Sequence, residues 1–564
     1  MKRPVLLLTL LALSSAPGCR SADSPASAPA DLIVQNATIY TVDAKRPSAQ
    51  AVAVRGDKFV FVGDNAGALA LKGPQTTVID AQGRAVVPGL HDAHGHFLGL
   101  GTSLQQLDLR NTPSYEAIVD MVRARVAQAK PGEWILGRSW DQNDWPTKAW
   151  PTHEALDRGA PENPVYLARV DGHAALVNAA AMKAAGLSRD TKDPDGGRLI
   201  RDASGQPTGV LIDRAMGLVA QRIPPPSAER LEEAVALADA ETRKLGLTTV
   251  HDAGVESETV DLYKRLVDKG TLRTRLYVML RMPLDRLRPW FQQGPLKDYG
   301  NHHLAVRAIK IGADGALGSR GAALLEPYSD EPGTTGLLTT PPDEVYQMTL
   351  EASKAGFQTC IHSIGDRANR LVLDTFERVE REVPAARDLR LRDEHAQILD
   401  AAEIPRFKAL NVIASMQPTH CTSDMPWVPT RIGPARTAEG AYVWRSLLNA
   451  GAVIASGSDF PVEEPNPMLG FYAAVTRQDV HGQPPEGWAP DQRLTRQEAL
   501  ASFTIHAAYA AHAETLTGSI ETGKLADLVV LSKDIMTVPA PEILKTEVWK
   551  TIIGGRVAYE AAAR

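Results

Sequence analysis

Most of the chain alternates short apolar runs with stretches of helical period. Eight runs read as strands buried on both faces: Ala85–Leu90, Thr248–Asp252, Arg275–Leu280, Ala305–Ile311, Gln358–His362, Leu391–His395, Val412–Met416 and Val453–Ser458. Helical patterns separate most of them. Over Glu344–Ala355, Val345, Met348, Ala352 and Ala355 recur at helical spacing, with Asp343 at the N-cap and Gly356 as the stop. Asp366–Val383 is a second helix, and Thr495 with Glu498 forms the capping box of a third. Strands alternating with helices predict parallel βα units, and eight strands match a closed (β/α)8 TIM-like barrel over residues 85–514.

The first gap, from Leu100 to about Leu245, is too long for one crossover helix and predicts an inserted α+β subdomain over 101–245. It holds a helix over Tyr115–Lys130 stopped by Pro131-Gly132, a strand over Pro164–Val170, and a helix near Ala174–Ala185. Insertions after a barrel strand sit at the C-terminal face, so this one is expected to roof a pocket. Both ends of the chain have a different period. Asp31–Val42, Ala51–Val62 and Thr77–Ile79, with Ala526–Leu531 and Val548–Tyr559, read as strands of one discontinuous β-sandwich built from 31–84 and 515–564.

The extreme N-terminus changes the picture of location. Lys2 and Arg3 precede the apolar run Val5–Leu13, which has the length of a signal-peptide core and falls short of the ~20 residues a bilayer span needs. Ala16-Pro17-Gly18-Cys19 resembles a bacterial lipobox, with Ala16 where leucine is usual. Residues 1–19 are therefore expected to be a signal peptide, with Cys19 lipidated and 20–30 a Ser/Ala/Pro tether. Export to the cell envelope follows, as a periplasmic or outer-membrane lipoprotein held to the membrane by its lipid alone. A plain cleaved signal is the alternative. Charge adds an exclusion: 61 Lys and Arg against 67 Asp and Glu leave no basic footprint for nucleic acid. Cys360 in an apolar run and Cys421 in a loop make no disulfide framework.

Candidate chemistry clusters at strand ends. In Leu90-His91-Asp92-Ala93-His94-Gly95-His96, His94 and His96 stand two apart, which on extended backbone points both imidazoles the same way, as a shared metal requires. His362, His395 and Asp459 each end a later strand, and Lys310 lies within a fourth. Each has a plain reading: a hydrogen-bonded histidine, a helix-capping aspartate, a snorkelling lysine. The set argues otherwise, because strands one, four, five, six and eight offer ligand types at one end.

These residues sit in a longer series of motifs. Gly132-Glu133-Trp134-Ile135-Leu136-Gly137, Asp171-Gly172-His173 and Gly246–Gly254 come first. Ala313–Arg320, His362–Ala368, Glu394-His395-Ala396-Gln397, Gly457–Val462 and Gly523–Leu528 follow. In this order they resemble the amidohydrolase superfamily, most closely its amidohydrolase 3 branch with the N-substituted formamide deformylase-like enzymes, over about Asp31 to Tyr559. The resemblance implies metal ligands His94, His96, Lys310, His362, His395 and Asp459, one or two divalent ions with zinc expected, and a carboxylated Lys310 where two metals bind. It also implies hydrolysis of an amide, N-acyl or N-formyl carbon–nitrogen bond by metal-activated water, with Asp459 carrying the proton.

Substrate contacts are expected from the loops. His173 is read as a donor to the substrate carbonyl, against a histidine held by Asp171. Trp140 in the Trp140–Trp145 loop lines the pocket or packs in the insert's core. Asp366 and Arg367 support His362 or cap a helix, and Asp314 and Arg320 lie near the mouth. An esterase, lactonase or isomerase on the same metal site is the rival activity, and a non-catalytic binding lipoprotein the rival class. The partner is a small amide-like molecule; a homodimer is left open.

Overall fold

The computed structural model describes residues 28–110, 112–142, 145–169, 174–194 and 197–562. The signal segment, Cys19 and His173 lie outside them. Eight parallel strands form the central sheet: β1 (Leu90–Gly95), β2 (Leu247–Val255), β3 (Arg275–Leu280), β4 (Leu304–Gly312), β5 (Gln358–Ser363), β6 (Arg392–His395), β7 (Ile413–Met416) and β8 (Val453–Ser456). They pair in sequence order from β1 to β8. Just past β8, the Asp459 N–H donates to His94 O of β1 and brings the two edges together. Gly457 permits this closure: a Cβ there would lie 2.5 Å from His94 N. The fold is the expected TIM-like barrel.

The first strand differs from expectation. Ala85–Pro88 pairs with Thr38–Tyr40 and Leu528–Leu531 and belongs to the sandwich, while the barrel begins at Leu90. Two sheets make up that sandwich. One contains Ala30–Gln35, Ala51–Arg55, Lys58–Gly63 and Lys72–Asp80; the other joins Ala85–Pro88 to Leu528–Leu531, Val548–Ile553 and Arg556–Glu560. Alternate side chains such as Leu32, Val34, Val52, Val54, Val86, Val530 and Ile552 fill the space between them. Barrel and sandwich are joined by a buried ion pair, Arg275 Nε to Asp527 Oδ2 at 2.7 Å.

The insert folds around a six-stranded sheet with Leu107–Asp108 at one edge and Gly197–Arg201 at the other. Its long helix ends at Val126, short of Lys130. Ala174–Val177, expected as the start of a helix, is a fully buried strand, and Asn178 caps the helix Ala179–Ala185 behind it. The stretch before β2 is no part of the insert's sheet. The helix Ala228–Lys244 packs against Phe97–Leu104, so closely that a Cβ on Gly101 would meet Ala234 O at 1.8 Å. Elsewhere the helix expected from Glu344 starts at Pro342, because proline is favoured in the first turn. The Thr495–Glu498 capping box is present. Cys360 and Cys421 are buried free thiols, Cys421 in the helix Pro418–Asp424 and not in a loop.

Candidate metal centre

The C-terminal strand ends bring six side chains together. His94 belongs to β1, His96 follows it, Lys310 lies in β4, His362 in β5, His395 ends β6, and Asp459 follows β8. His94 Nε2 is 3.2 Å from Lys310 Nζ and 3.6 Å from Asp459 Oδ1; His96 Nε2 is 3.1 Å from the same oxygen. The His395 ring sits 4.8 Å from that of His94 and 4.5 Å from that of His362, centroid to centroid. One donor atom each from His94, His395 and Asp459 falls within 4.8 Å of the others. His395 and Asp459 have φ of 79° and 61°, a left-handed conformation uncommon for side-chain-bearing residues, and both belong to the candidate ion site.

A buried polar network aims these ligands. His94 Nδ1 bonds Glu394, leaving Nε2 to face the centre. Glu394 is gripped by Arg392, which also donates to Ala93 O and Ser415 Oγ and contacts His251 Nδ1. His395 Nδ1 is 2.7 Å from Gln417 Oε1. Asp92 accepts from the backbone N–H groups of His94 and Ser458 and from the Ser458 hydroxyl, tying β1 to the loop after β8. Glu394, Arg392, Gln417 and Asp92 hold the candidate ligands in place, and strand-end reasoning missed them. Glu394 and Arg392 alternate along the strand that delivers His395, which puts them on one face without showing what they orient.

Electrostatics suit a cation. Burial lowers His94 to about 4 and His362 to about 3, with the Lys310 charge adding to both, so these two imidazoles are neutral at ordinary pH. Burial also lowers Lys310. Burial opposes ionisation of Asp459, but its contact with His96 and the histidines around it win, holding it well below the usual carboxylate range. His362 Nε2, His420 Nε2 and Asp459 Oδ1 are buried without hydrogen-bond partners among the described residues. Neutral imidazoles, an ionised carboxylate and orphaned donor atoms fit a divalent ion.

The residues expected to touch substrate fare differently. Trp140 is fully buried in the insert's core, donates to Leu167 O and stacks on Trp145, so it lines no pocket. Asp314 is buried behind the centre: it accepts from the N–H groups of Ala323, Ile364 and Gly365 and lies 3.5 Å from His362 Nε2, which makes it a positioning residue. Arg320 spends its guanidinium on Asp330 and Glu331 within its own loop. Asp366 accepts from Leu325 N–H at a helix start. Arg367 keeps a buried, unpartnered Nε, and its charge acts on Asp314. His420 Nε2 stands 3.8 Å from Asp459 Oδ2. Beside His96 a cavity of about 580 Å³ opens between Phe97–Leu104, the end of β2, Pro461 and Arg138 of the insert.

Comparison with known proteins agrees with this geometry. The profile of the amidohydrolase family matches residues 77–559. The chain is 36% identical to the Arabidopsis thaliana protein LONG AFTER FAR-RED 3, over 96% of this chain and 93% of that one. It is 30% identical to N-substituted formamide deformylase of Arthrobacter pascens, over 94% and 98%. An uncharacterized metal-dependent hydrolase from Pyrococcus furiosus superposes with a TM-score of 0.74 at 28% identity, over 90% of this chain and all of that one. The chain belongs to the amidohydrolase family and is a metal-dependent hydrolase.

Proposed function

We propose that this hydrolase cleaves a carbon–nitrogen bond other than a peptide bond, in an amide, N-acyl or N-formyl compound. The observation that carries the reading is the convergence of His94, His96, Lys310, His362, His395 and Asp459 at one barrel mouth beside an open cavity. The similarity to an N-substituted formamide deformylase supports N-formyl amides as the first test set. Zinc, one or two ions per chain, suits the nitrogen and carboxylate donors. Such an ion, when bound, acidifies water and polarises a carbonyl.

The protein's own groups do the rest. Asp459, ionised, accepts a proton from the attacking water and returns it to the departing nitrogen. His420 faces its second oxygen and is available as a donor to substrate, the part expected of His173. Lys310 Nζ lies 3.2 Å from His94 Nε2, where an ammonium would oppose a bound cation, but burial favours its neutral amine. Addition of CO2 to that amine, giving a carbamate, would convert it into an oxygen ligand. The N-terminal segment supports export and lipidation at Cys19, so that the enzyme works in the cell envelope.

The test is metal content of the purified protein together with turnover of N-formyl amides, N-acyl amides and esters. Zinc at one or two per chain, with amides turned over faster than esters, supports the reading. Preference for esters, or activity indifferent to metal removal, overturns it.

A further inference from the structure

The cavity beside His96 is lined by one arginine and two carboxylates, Asp252 and Glu256. Arg138 is its contribution from the insert. The strand Ile135–Trp140 alternates, with Ile135 and Gly137 turned to the insert's core. A register shift between Arg138 and Trp140, with Ser139 at φ 71°, returns Trp140 to that core while Arg138 stays on the cavity side. The nearby carboxylates are already engaged. Asp108, which pairs in register with Arg138, gives both oxygens to Arg110. Glu256 pairs with Arg286 at 2.8 Å. Asp252 is buried and accepts from Phe97 N–H and the Tyr263 hydroxyl. Among the described residues Arg138 therefore faces the cavity half-buried with no carboxylate paired to it.

A half-desolvated guanidinium without a partner is a recognition element for a planar anion, which it can bind through two parallel hydrogen bonds. We propose that Arg138 binds an anionic group of the substrate, so that the preferred substrates are amides carrying a carboxylate or comparable anion on the part directed away from the metal centre. This rests on the carbon–nitrogen reading above and names its substrate class.

The experiment separates the two. On the metal-loaded enzyme, kcat/KM is compared for N-acetylglycine and uncharged N-ethylacetamide, in wild type, Arg138→Gln and Arg138→Lys. In parallel, calorimetry measures binding of 4-oxopentanoate and 2-pentanone, ketone counterparts with no carbon–nitrogen bond to cleave. A charge-assisted hydrogen-bond pair is worth roughly 10- to 100-fold in affinity. The expected result is such a preference for the anionic member of each pair, lost in Arg138→Gln chiefly through KM, partly kept in Arg138→Lys, with unchanged metal content. Equal handling of both members by wild type, or an unaltered preference in Arg138→Gln, overturns the proposal. Arg138-dependent binding of 4-oxopentanoate without turnover of any amide would leave anion recognition standing and overturn the carbon–nitrogen reading instead.

Discussion

His94 Nδ1 is held by Glu394, the residue that precedes another ligand, His395, on β6. One strand thus delivers a ligand and the group that orients a ligand from the opposite side of the sheet. Arg392, two residues back, keeps Glu394 ionised against its burial. Glu394→Gln preserves the shape and an acceptor oxygen but removes the charge. Metal affinity, read by chelator competition, should fall roughly 10- to 100-fold with the fold retained. Both variants leave Arg392 buried without its counter-ion, at a cost of about 3–5 kcal/mol in stability, and Glu394→Ala should do more, because it also removes the acceptor oxygens. A variant Glu394→Gln that holds metal as tightly as wild type would show that the contact is not an orienting one.

Asp459→Asn isolates proton transfer. Asparagine tolerates the left-handed backbone that Asp459 adopts at φ 61°, so the substitution is not expected to unfold the loop. It cannot take up a proton at neutral pH. Turnover should drop by roughly 10²- to 10⁴-fold, with KM changed far less. Metal content measured on the same sample distinguishes this from simple loss of the ion.

The joint between barrel and sandwich depends on pH in a defined direction. Asp527 is buried, which raises its pKa, yet the Arg275 charge and the hydrogen bonds of Arg275 and Gly554 win and lower it below 3.8. A lowered folded-state value contributes stability that is complete above the unfolded pKa and is lost as pH falls through the folded one. Asp527→Asn strands Arg275 and should cost about 3–5 kcal/mol near neutrality. The gap in Tm between wild type and Asp527→Asn should be widest above pH 5 and narrow below pH 4. A gap independent of pH would mean that packing, not charge, carries the joint.

The barrel and the convergence of candidate ligands at its mouth were legible because the signals are local. An apolar run ending in His or Asp states both the strand and the direction of its end, as at His362, His395 and Asp459. What escaped was set by contacts distant in sequence. Glu394 is recognisable as an orienting group only once His94, 300 residues away, is placed against it. Asp314 and Arg320 stand beside Lys310 in the chain, and nearness suggested the pocket mouth; their partners turn out to be backbone amides and loop carboxylates. Ala85–Pro88 and Leu90–Gly95 are separated by one residue in sequence but pair with different sheets, a division that depends on Leu528–Leu531 from the far end of the chain. Trp140 was undecided for a similar reason, since an aromatic in a polar loop reads equally as pocket wall or as core until the bulge at Ser139 turns it inward.

That placement of Trp140 makes a separable prediction. Its indole donates to Leu167 O at 2.8 Å and stacks on Trp145 with ring centroids 5.8 Å apart, so Trp140→Ala removes a hydrogen bond and leaves a large void in the insert's core. Loss of a buried tryptophan costs about 3–5 kcal/mol. The cost should appear as faster hydrogen exchange in Ile135–Trp140, Val165–Arg169 and Ala174–Val177, while the central barrel strands keep their protection. At temperatures where the insert stays folded, KM should match wild type. A substrate-lining tryptophan would give the opposite pattern, a raised KM with unchanged exchange, because nothing in the core would have been lost.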